Sequence, residues 1–427
     1  MMEDSSLTTV NQDFGRLASG KAVALWKATT IHEAQTFVTF AHQHQLPITI
    51  RSQGLSQSGQ SLAPEGAVVL DISNINPKLA WKGDSLIAGC SVSWKSIVES
   101  SLTRDLLPEV IPYNTDLTVG GVLSVGGLGA STFKQGVIGA HVLSLTVLTA
   151  NGTLVKCSPT NEKGLFDGCL SGVGLFGIII DAELSLRPCK KNVRIYTLSY
   201  DDYTVWLKDQ FSLKEKADYL EAFITDDRSF ANRALVHCAF EYDNQPPELT
   251  EQSLHYHTFE HKTDMSILDF TYRHDPRLQG MKDSGKWDEM HPWYECYVDC
   301  DELIDDLDDF VERLDKTVGG IYHVFPVDAN TPKYFMLPNQ GNVVTFNVLS
   351  PGLGADRLKP AIDTLVEIND ILLKKGGKRY ISGWFYGRKG EGYWQVHYGN
   401  LYDERKNIKH KYDPNHIFCS QLFPDFT

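Results

Sequence analysis

The chain has 427 residues, enough for two or three domains with sizeable hydrophobic cores. Its formal net charge of −14 argues against nucleic acid or an anionic membrane as a partner. No apolar run is as long as a membrane span, and the acidic N-terminus lacks the apolar core of a secretory signal, so we expect a cytoplasmic protein. The eight cysteines form no C-x-x-C pair, which favours reduced thiols over a zinc site or a disulfide framework.

Near the N-terminus, the sequence predicts two short strands joined by a polar loop. A helix over 32–45 precedes a strand at 48–50, and a second strand follows at 67–72. The loop between them, 51–60, contains two glycines, so its backbone N–H groups could meet a pyrophosphate. An ordinary surface loop is the alternative for this segment taken alone.

Further elements follow up to residue 190. The patterns predict, in chain order, strands at 79–81 and 85–88, a helix at 93–102, strands at 142–149 and 153–157 joined by an Asn-Gly turn, a helix at 165–170, and one strand ending at Pro188.

The segment 117–139, LTVGGVLSVGGLGASTFKQGVIG, contains seven glycines. Glycine costs backbone entropy, so such a cluster needs left-handed turns or a ligand that approaches the backbone closely. We interpret it as a binding surface for an extended anionic cofactor, and a loop-rich region without a ligand is the alternative. Neither a P-loop nor a G-x-G-x-x-G unit with its acidic partner is present, so a bound dinucleotide would need a different fold.

After Pro188 the composition changes to charged helices and aromatic strands. We predict helices at 202–210, 303–318 and 356–375 and strands at 218–224, 233–240, 294–298 and 343–349. These elements indicate an α+β second domain from about 190 to 390. The acidic run 299–309 lacks the glycine and spacing of a calcium loop, so we interpret it as the solvated start of a helix and predict no metal site.

Several motifs together resemble the flavoenzymes of the vanillyl-alcohol-oxidase type, with their PCMH-type FAD-binding domain, and within them the cytokinin dehydrogenases. The loop RSQGLSQSGQSLAP resembles the family's R-G-R-G-H-S-x-x-G-Q-A-x-A-P, and LTVGGVLS matches L-T-V-G-G-x-L-S. The other matching segments are LFGII at 175–179, DYLEAF at 218–223, HPW at 291–293, HYG at 397–399, YDP at 412–414 and Gln421.

This resemblance implies FAD as the cofactor and an α+β fold class. It implies a two-part FAD-binding domain at 1–190, an inserted α+β substrate domain on an antiparallel sheet at 191–390, and a C-terminal return to the FAD-binding domain at 391–427. Gln60 would contact the cofactor through its side chain, and Gln421 and Tyr386 would close the site. The implied cofactor-binding residues are Ser52, Gln53, Gly54, Leu55, Ser56, Gly59, Gln60, Thr118, Gly120, Gly121, Ser124, Gly177, Ile178, Ile179, Tyr386 and Gln421.

Two departures from the family pattern bear on mechanism. Leu55 stands where the family carries the histidine that is covalently joined to the flavin, so we predict non-covalent FAD and a weaker oxidant. A packing residue in a loop that binds nothing is the alternative for Leu55. The family's catalytic aspartate aligns with Tyr113 without gaps, or with Asp116 after a three-residue deletion.

Both residues are therefore candidates for the catalytic role. Asp116 could be the base, or a turn residue within Asn114-Thr115-Asp116. Tyr113 could hydrogen-bond a substrate hydroxyl, but its reference pKa near 10 makes it a poor base. We interpret His397 as a packed residue between aromatic neighbours.

The sequence therefore predicts a FAD-dependent oxidoreductase that takes a hydride from a small-molecule amine or alcohol. Oxygen or another acceptor would reoxidise the flavin. The alternative is a flavin- or ligand-binding relative that has lost turnover, because the linking histidine and the catalytic aspartate are both replaced.

Overall fold

The computed structural model describes residues 4–249, 254–385 and 391–424. The strands are β1 (Ala24–Lys27), β2 (Ile48–Arg51), β3 (Val68–Asp71), β4 (Leu79–Lys82), β5 (Ser85–Gly89), β6 (Leu106–Pro108), β7 (Val142–Leu148), β8 (Leu154–Cys157), β9 (Ile178–Leu184), β10 (Leu186–Pro188), β11 (Asn192–Tyr200), β12 (Tyr219–Ile224), β13 (Ala234–Tyr242), β14 (Thr258–Ser266), β15 (Tyr294–Asp299), β16 (Ile321–His323), β17 (Val343–Leu349) and β18 (Lys378–Arg379). The α-helices are α1 (Asp4–Val10), α2 (Ile31–His44), α3 (Trp94–Leu102), α4 (Val119–Leu123), α5 (Thr132–Gln135), α6 (Lys163–Cys169), α7 (Tyr203–Leu213), α8 (Ile267–Thr271), α9 (Asp275–Asp283), α10 (Cys300–Thr317), α11 (Ala355–Lys374), α12 (Glu391–Tyr398) and α13 (Tyr402–Tyr412).

A small parallel sheet with strand order β1-β3-β2 lies near the N-terminus. The residues of β3 are buried except at its end, as expected for a parallel strand covered on both faces. Helix α2 starts at a capping box in which Thr30 and Glu33 satisfy each other's backbone N–H groups. Its residues Ala34 and Val38 pack into the core with β2 and β3. This arrangement fixes the point at which β2 leads into the loop 51–60.

A five-stranded antiparallel sheet with order β4-β5-β9-β7-β8 follows. Gly152, at φ 82°, turns the chain between β7 and β8, as the Asn-Gly signal predicts. The prediction of one strand ending at Pro188 is wrong, because the chain divides it into β9 and β10. Between the two strands, the backbone N–H of Ser185 donates to the carbonyl of His141, and β10 then pairs with β6.

The largest sheet is antiparallel and has eight strands in the order β14-β11-β13-β12-β16-β17-β15-β18. Helix α10 buries Leu303, Leu307 and Phe310 in the core that this sheet shares with α7 and α11. The acidic run at 299–309 begins this helix, whose N-cap is Asp299, as predicted. The prediction of an α+β fold built on an antiparallel sheet is confirmed.

The C-terminal segment returns to the parallel sheet. The Ile48 N–H donates to the carbonyl of Ile417, and Asp413 accepts from the backbone N–H groups of Ile417 and Phe418. Asp413 also pairs with the buried ammonium of Lys409. The Tyr-Asp-Pro motif therefore has a structural role, since its carboxylate fixes the last turn of the chain.

No helix in the described ranges is long and apolar enough to span a membrane. Within the same ranges, no group of three or more His, Cys, Asp or Glu side chains is placed to hold a metal ion.

Candidate active site

A cavity of about 360 Å³ lies between the glycine-rich loops and the eight-stranded sheet. This volume is within the range of roughly 300–1,000 Å³ that is usual for small-molecule sites. The loops after β2 and before β9, together with Pro112 and the segment 114–128, form one side, which we call the loop wall. Helix α9, strands β15 to β17 and the side chain of Tyr113 form the other side, which we call the sheet wall.

The loop after β2 brings unpaired backbone donors to the cavity. The carbonyls of Gly54 and Ser56 accept hydrogen bonds from Phe14 and Gly15, each at 3.1 Å. In the described part of the chain, no acceptor pairs with the backbone N–H groups of residues 53–56, and these residues line the cavity. Successive unpaired N–H groups in a turn form an anion-binding concavity. The loop is therefore suited to a pyrophosphate.

Residues behind the loop hold this conformation. Gly54 has φ 71°, and a Cβ at this position would lie 2.0 Å from Nη2 of Arg51. That guanidinium is buried and donates to the carbonyl of Gln12 at 2.8 Å. The carboxylate of Asp13 accepts from the Gly59 N–H at 2.9 Å. The glycine at 54 is thus required by both backbone conformation and space.

The glycines of 117–139 serve two purposes. Gly120 and Gly121 line the cavity beside Thr118, whose hydroxyl lies 3.1 Å from that of Ser52. Gly129 and Gly136 instead lie against protein backbone, where a Cβ would come within 2.0 Å and 1.9 Å of carbonyl oxygens. Part of the cluster therefore faces the cavity, and part allows close packing.

The structure brings most of the predicted cofactor-binding residues together on the loop wall. Those that line the cavity are Ser52, Gln53, Gly54, Leu55, Ser56, Gln60, Thr118, Gly120, Gly121, Ser124, Gly177, Ile178 and Ile179. Tyr386 lies outside the described residues. The arrangement supports one continuous binding surface made from three separate segments of the chain.

Three predicted contacts with the cofactor differ from the structure. Gly59 lies behind the cavity and donates to Asp13. The amide of Gln421 donates to the carbonyls of Ser19 and Ala63, away from the cavity. The side-chain amide of Gln60 is occupied by backbone partners, since its oxygen accepts from Ser58 at 2.7 Å and its nitrogen donates to the carbonyls of residues 381–383. Gln60 therefore fixes the loop.

The two catalytic candidates are separated by the structure. Asp116 is exposed and does not line the cavity. Its backbone N–H donates to the side chain of Asn114 at 3.0 Å, which is the turn interpretation of this segment. Tyr113 does line the cavity, and its buried hydroxyl has no hydrogen-bond partner among the described residues. Burial, and next the charge of Glu221, raises the pKa of Tyr113 well above 10, so its hydroxyl stays protonated and can donate.

Behind Tyr113 lies a charged cluster that the sequence interpretation did not identify. Oε1 of Glu221 lies 2.8 Å from Nε2 of His274, and Oε2 accepts from Nε of Arg273 at 2.9 Å. Burial alone would raise the pKa of Glu221, but Arg273 and His274 outweigh it and hold this pKa well below its usual value. His274 lines the cavity, and its ring centroid lies 5.1 Å from that of Tyr113. The cluster thus places a carboxylate-bound imidazole beside an unpaired phenol.

Two other ionisable residues of the sheet wall are neutral near pH 7. Burial raises the pKa of Glu295 to about 8, against a smaller opposing effect of Arg379. Burial, and next the charge of Arg277, lowers the pKa of His323 to about 3. Both side chains line the cavity. The charge that this wall presents therefore depends on Arg277 and on the pair of His274 and Glu221.

The sequence offered unequal signals for these residues. Glu221 lies within the D-Y-L-E-A-F motif, so the resemblance could have identified it. Arg277 lies in the polar helix α9, and His274 immediately precedes it. No predicted motif covers this segment. Only the fold brings them to the cavity.

Comparison with known proteins also indicates a flavin-binding protein. Residues 22–158 match the family model described as a FAD binding domain. Residues 239–421 match the model described as cytokinin dehydrogenase 1, FAD and cytokinin binding. Together, these matches include most of the loop wall and most of the sheet wall.

Curated relatives cover nearly the whole chain. An uncharacterized oxidoreductase, ORF5 in the fasciation locus of Rhodococcoides fascians, is 26% identical over 98% of this chain and 97% of its own. Cytokinin dehydrogenase 6 of Oryza sativa subsp. japonica is 27% identical over 98% of this chain and 90% of its own. Cytokinin dehydrogenase 5 of Arabidopsis thaliana is 24% identical over 97% of this chain and 86% of its own. The motifs, the two family models and these relatives together identify the protein as a FAD-dependent oxidoreductase related to the cytokinin dehydrogenases.

Proposed function

We propose that the protein oxidises a small-molecule amine or alcohol by hydride transfer to FAD that is bound without a covalent link. The observation that carries this proposal is the run of unpaired N–H groups at 53–56 on the cavity wall. These donors suit the pyrophosphate of FAD. Thr118, Gly120, Gly121 and the turn at 177–179 would then lie along the rest of the cofactor.

Bound FAD supplies the hydride acceptor, and the chain supplies binding, orientation and proton transfer. Tyr113 is a hydrogen-bond donor to the substrate, because its hydroxyl is protonated and unpaired. His274 accepts the proton that the amine or alcohol group loses as the hydride leaves. Glu221, at 2.8 Å from His274, is a positioning residue that stabilises the imidazolium. Asp116 has no part in this scheme, since its exposed side chain does not line the cavity.

The side chains of the loop wall support the proposed non-covalent binding. Leu55 lines the cavity where the resemblance implies a linking histidine, and leucine cannot form that bond. Seven of the eight cysteines are buried in the protein and Cys189 is partly buried, and no described cavity-lining residue is a cysteine. In this proposal, backbone donors and shape would hold the cofactor.

The alternative of a relative without turnover is not favoured. It requires a cavity with no proton acceptor within reach of the substrate. His274 lines this cavity beside Tyr113, and an anionic carboxylate contacts its ring.

The test is anaerobic reduction of the FAD-loaded protein by a panel of amines and alcohols that includes cytokinins. We expect at least one compound to bleach the visible flavin absorbance. With that compound, His274→Gln should slow the reduction by roughly 10²–10⁴-fold, the usual contribution of a general base. The exposed His261→Gln on β14 is the matched control and should reduce at the wild-type rate. A yellow protein that no amine or alcohol reduces, or a His274→Gln variant with an unchanged rate, would contradict the proposal.

A further inference from the structure

Helix α9 brings one unpaired positive charge to the sheet wall. Arg277, Leu278 and Met281 of this helix all line the cavity. Among residues 4–249, 254–385 and 391–424, the guanidinium of Arg277 makes no hydrogen bond and no ion pair. The helix also begins one residue after His274, so Arg277 and the proposed proton acceptor share one side of the cavity.

The surrounding groups do not neutralise this charge. Glu221 is the carboxylate whose charge acts on Arg277, but Arg273 and His274 already hold both of its oxygens. Glu295 is protonated near neutral pH and His323 is neutral. The sheet wall therefore presents one positive charge that a ligand could match.

Besides the polar groups of Tyr113 and Asn347, much of this wall is apolar and partly aromatic. Leu278, Met281, Trp287, Trp293 and Leu349 line it. Such a surface favours an apolar or aromatic molecular body, because burial of apolar area is favourable at about 25 cal/mol per Å². Arg277 is exposed, so beside a neutral ligand the guanidinium would keep only water as a partner, whereas a carboxylate would give it a charged one.

We propose that the substrate is a small, largely apolar molecule carrying one carboxylate, and that Arg277 binds this carboxylate. This inference rests on the proposed function. The planar guanidinium can donate two parallel hydrogen bonds to a carboxylate, which a point charge cannot. Residues three apart at a helix start lie about 5–6 Å from each other on one face. The carboxylate and the carbon that is oxidised near His274 would then lie on the same side of the cavity.

The experiment titrates the FAD-loaded protein with two planar probes of matched shape, trans-cinnamate and cinnamamide, and follows the visible flavin spectrum. We expect cinnamate to bind at least tenfold more tightly than cinnamamide. Arg277→Met keeps an apolar stem and should abolish this preference, whereas Arg277→Lys should retain part of it. Lys208→Met, which removes an exposed positive charge on α7 outside the cavity lining, should behave as wild type.

Each other outcome separates the two proposals. Equal affinity for the probes, binding of neither probe, or an unchanged preference in Arg277→Met would overturn the assignment of Arg277 and leave the flavoenzyme proposal standing. Loss of FAD from Arg277→Met would place this guanidinium at the cofactor and would also overturn it. If the wild-type protein takes up no FAD, that result would contradict both proposals.

Discussion

The two walls of the cavity are built by different means. The loop wall uses backbone: glycines at 54, 120 and 177 and unpaired N–H groups at 53–56 face the cavity. The sheet wall uses side chains that come from distant parts of the chain, among them His274 and Glu295. A backbone surface suits a constant cofactor, whereas a side-chain surface can be changed one residue at a time.

The largest expected effect concerns the support behind the loop wall. Lys409 and Asp413 form a buried pair, and Lys409 also donates to the carbonyl of Leu175, next to the turn at Gly177. Asp413→Ala leaves a buried ammonium unpaired, so we expect a loss of about 3–5 kcal/mol in the free energy of unfolding. Denaturant unfolding measures this loss.

The matched control is an exposed pair with the same spacing. Lys359 and Asp363 are 84% and 56% exposed in their side chains. Asp363→Ala should cost at most about 0.5 kcal/mol. Similar unfolding midpoints for Asp413→Ala and Asp363→Ala would contradict the structural role of the buried pair.

The backbone conformation of the loop wall is tested at Gly54. Gly54→Ala places a Cβ 2.0 Å from the buried guanidinium of Arg51, which cannot move away without losing its bond to Gln12. We expect at least tenfold weaker FAD binding and a loss of about 2–3 kcal/mol in the free energy of unfolding.

Gly66→Ala is the control for Gly54→Ala. Gly66 has a similar φ of 83°, but nothing lies within 4 Å of its added Cβ. It should lose only about 1 kcal/mol of stability and keep full FAD affinity. Equal FAD affinity in the two variants would show that the loop does not depend on this glycine.

On the sheet wall, Glu295→Gln should change the pH dependence of stability. The pKa of Glu295 is raised to about 8 in the folded protein, so the folded state holds its proton more tightly than the unfolded state. The wild type therefore loses stability as the pH rises from about 4.5 to about 8, and the glutamine variant does not.

The expected gain for Glu295→Gln is small at pH 5 and rises to a few kcal/mol at pH 8, by denaturant unfolding at both values. The exposed Glu215→Gln should show no such trend. A gain that is larger at pH 5 than at pH 8 would contradict the protonated state of Glu295.

The smallest expected effect is at Asp116. Because its side chain is exposed and outside the cavity lining, Asp116→Asn should keep FAD affinity and the rate of flavin reduction within about twofold of wild type. Tyr113→Phe removes the hydroxyl inside the cavity and should slow the same reaction at least tenfold. The reverse order of these two effects would restore Asp116 as the base.

These two walls also differ in how far the sequence could predict them. A glycine such as Gly54 reports a local requirement of the backbone, so the loops at 51–60 and 117–139 were recognisable from short motifs. The turn at Asn114 was equally local. His274 and Arg277 were not predicted, because α9 has no buried residue and hence no apolar face to mark it as a helix. Strand β14 was missed because it lies at an edge of the sheet and its residues are mostly polar, so the sequence shows no alternation of apolar and polar residues there.

The most direct test of the account is an absorbance spectrum of the purified protein, before and after acid precipitation. We predict a yellow protein whose flavin remains in the supernatant, since Leu55 cannot form a covalent link. A yellow pellet would contradict the non-covalent binding, and a colourless protein that takes up no added FAD would contradict the assignment of the loop wall to the cofactor.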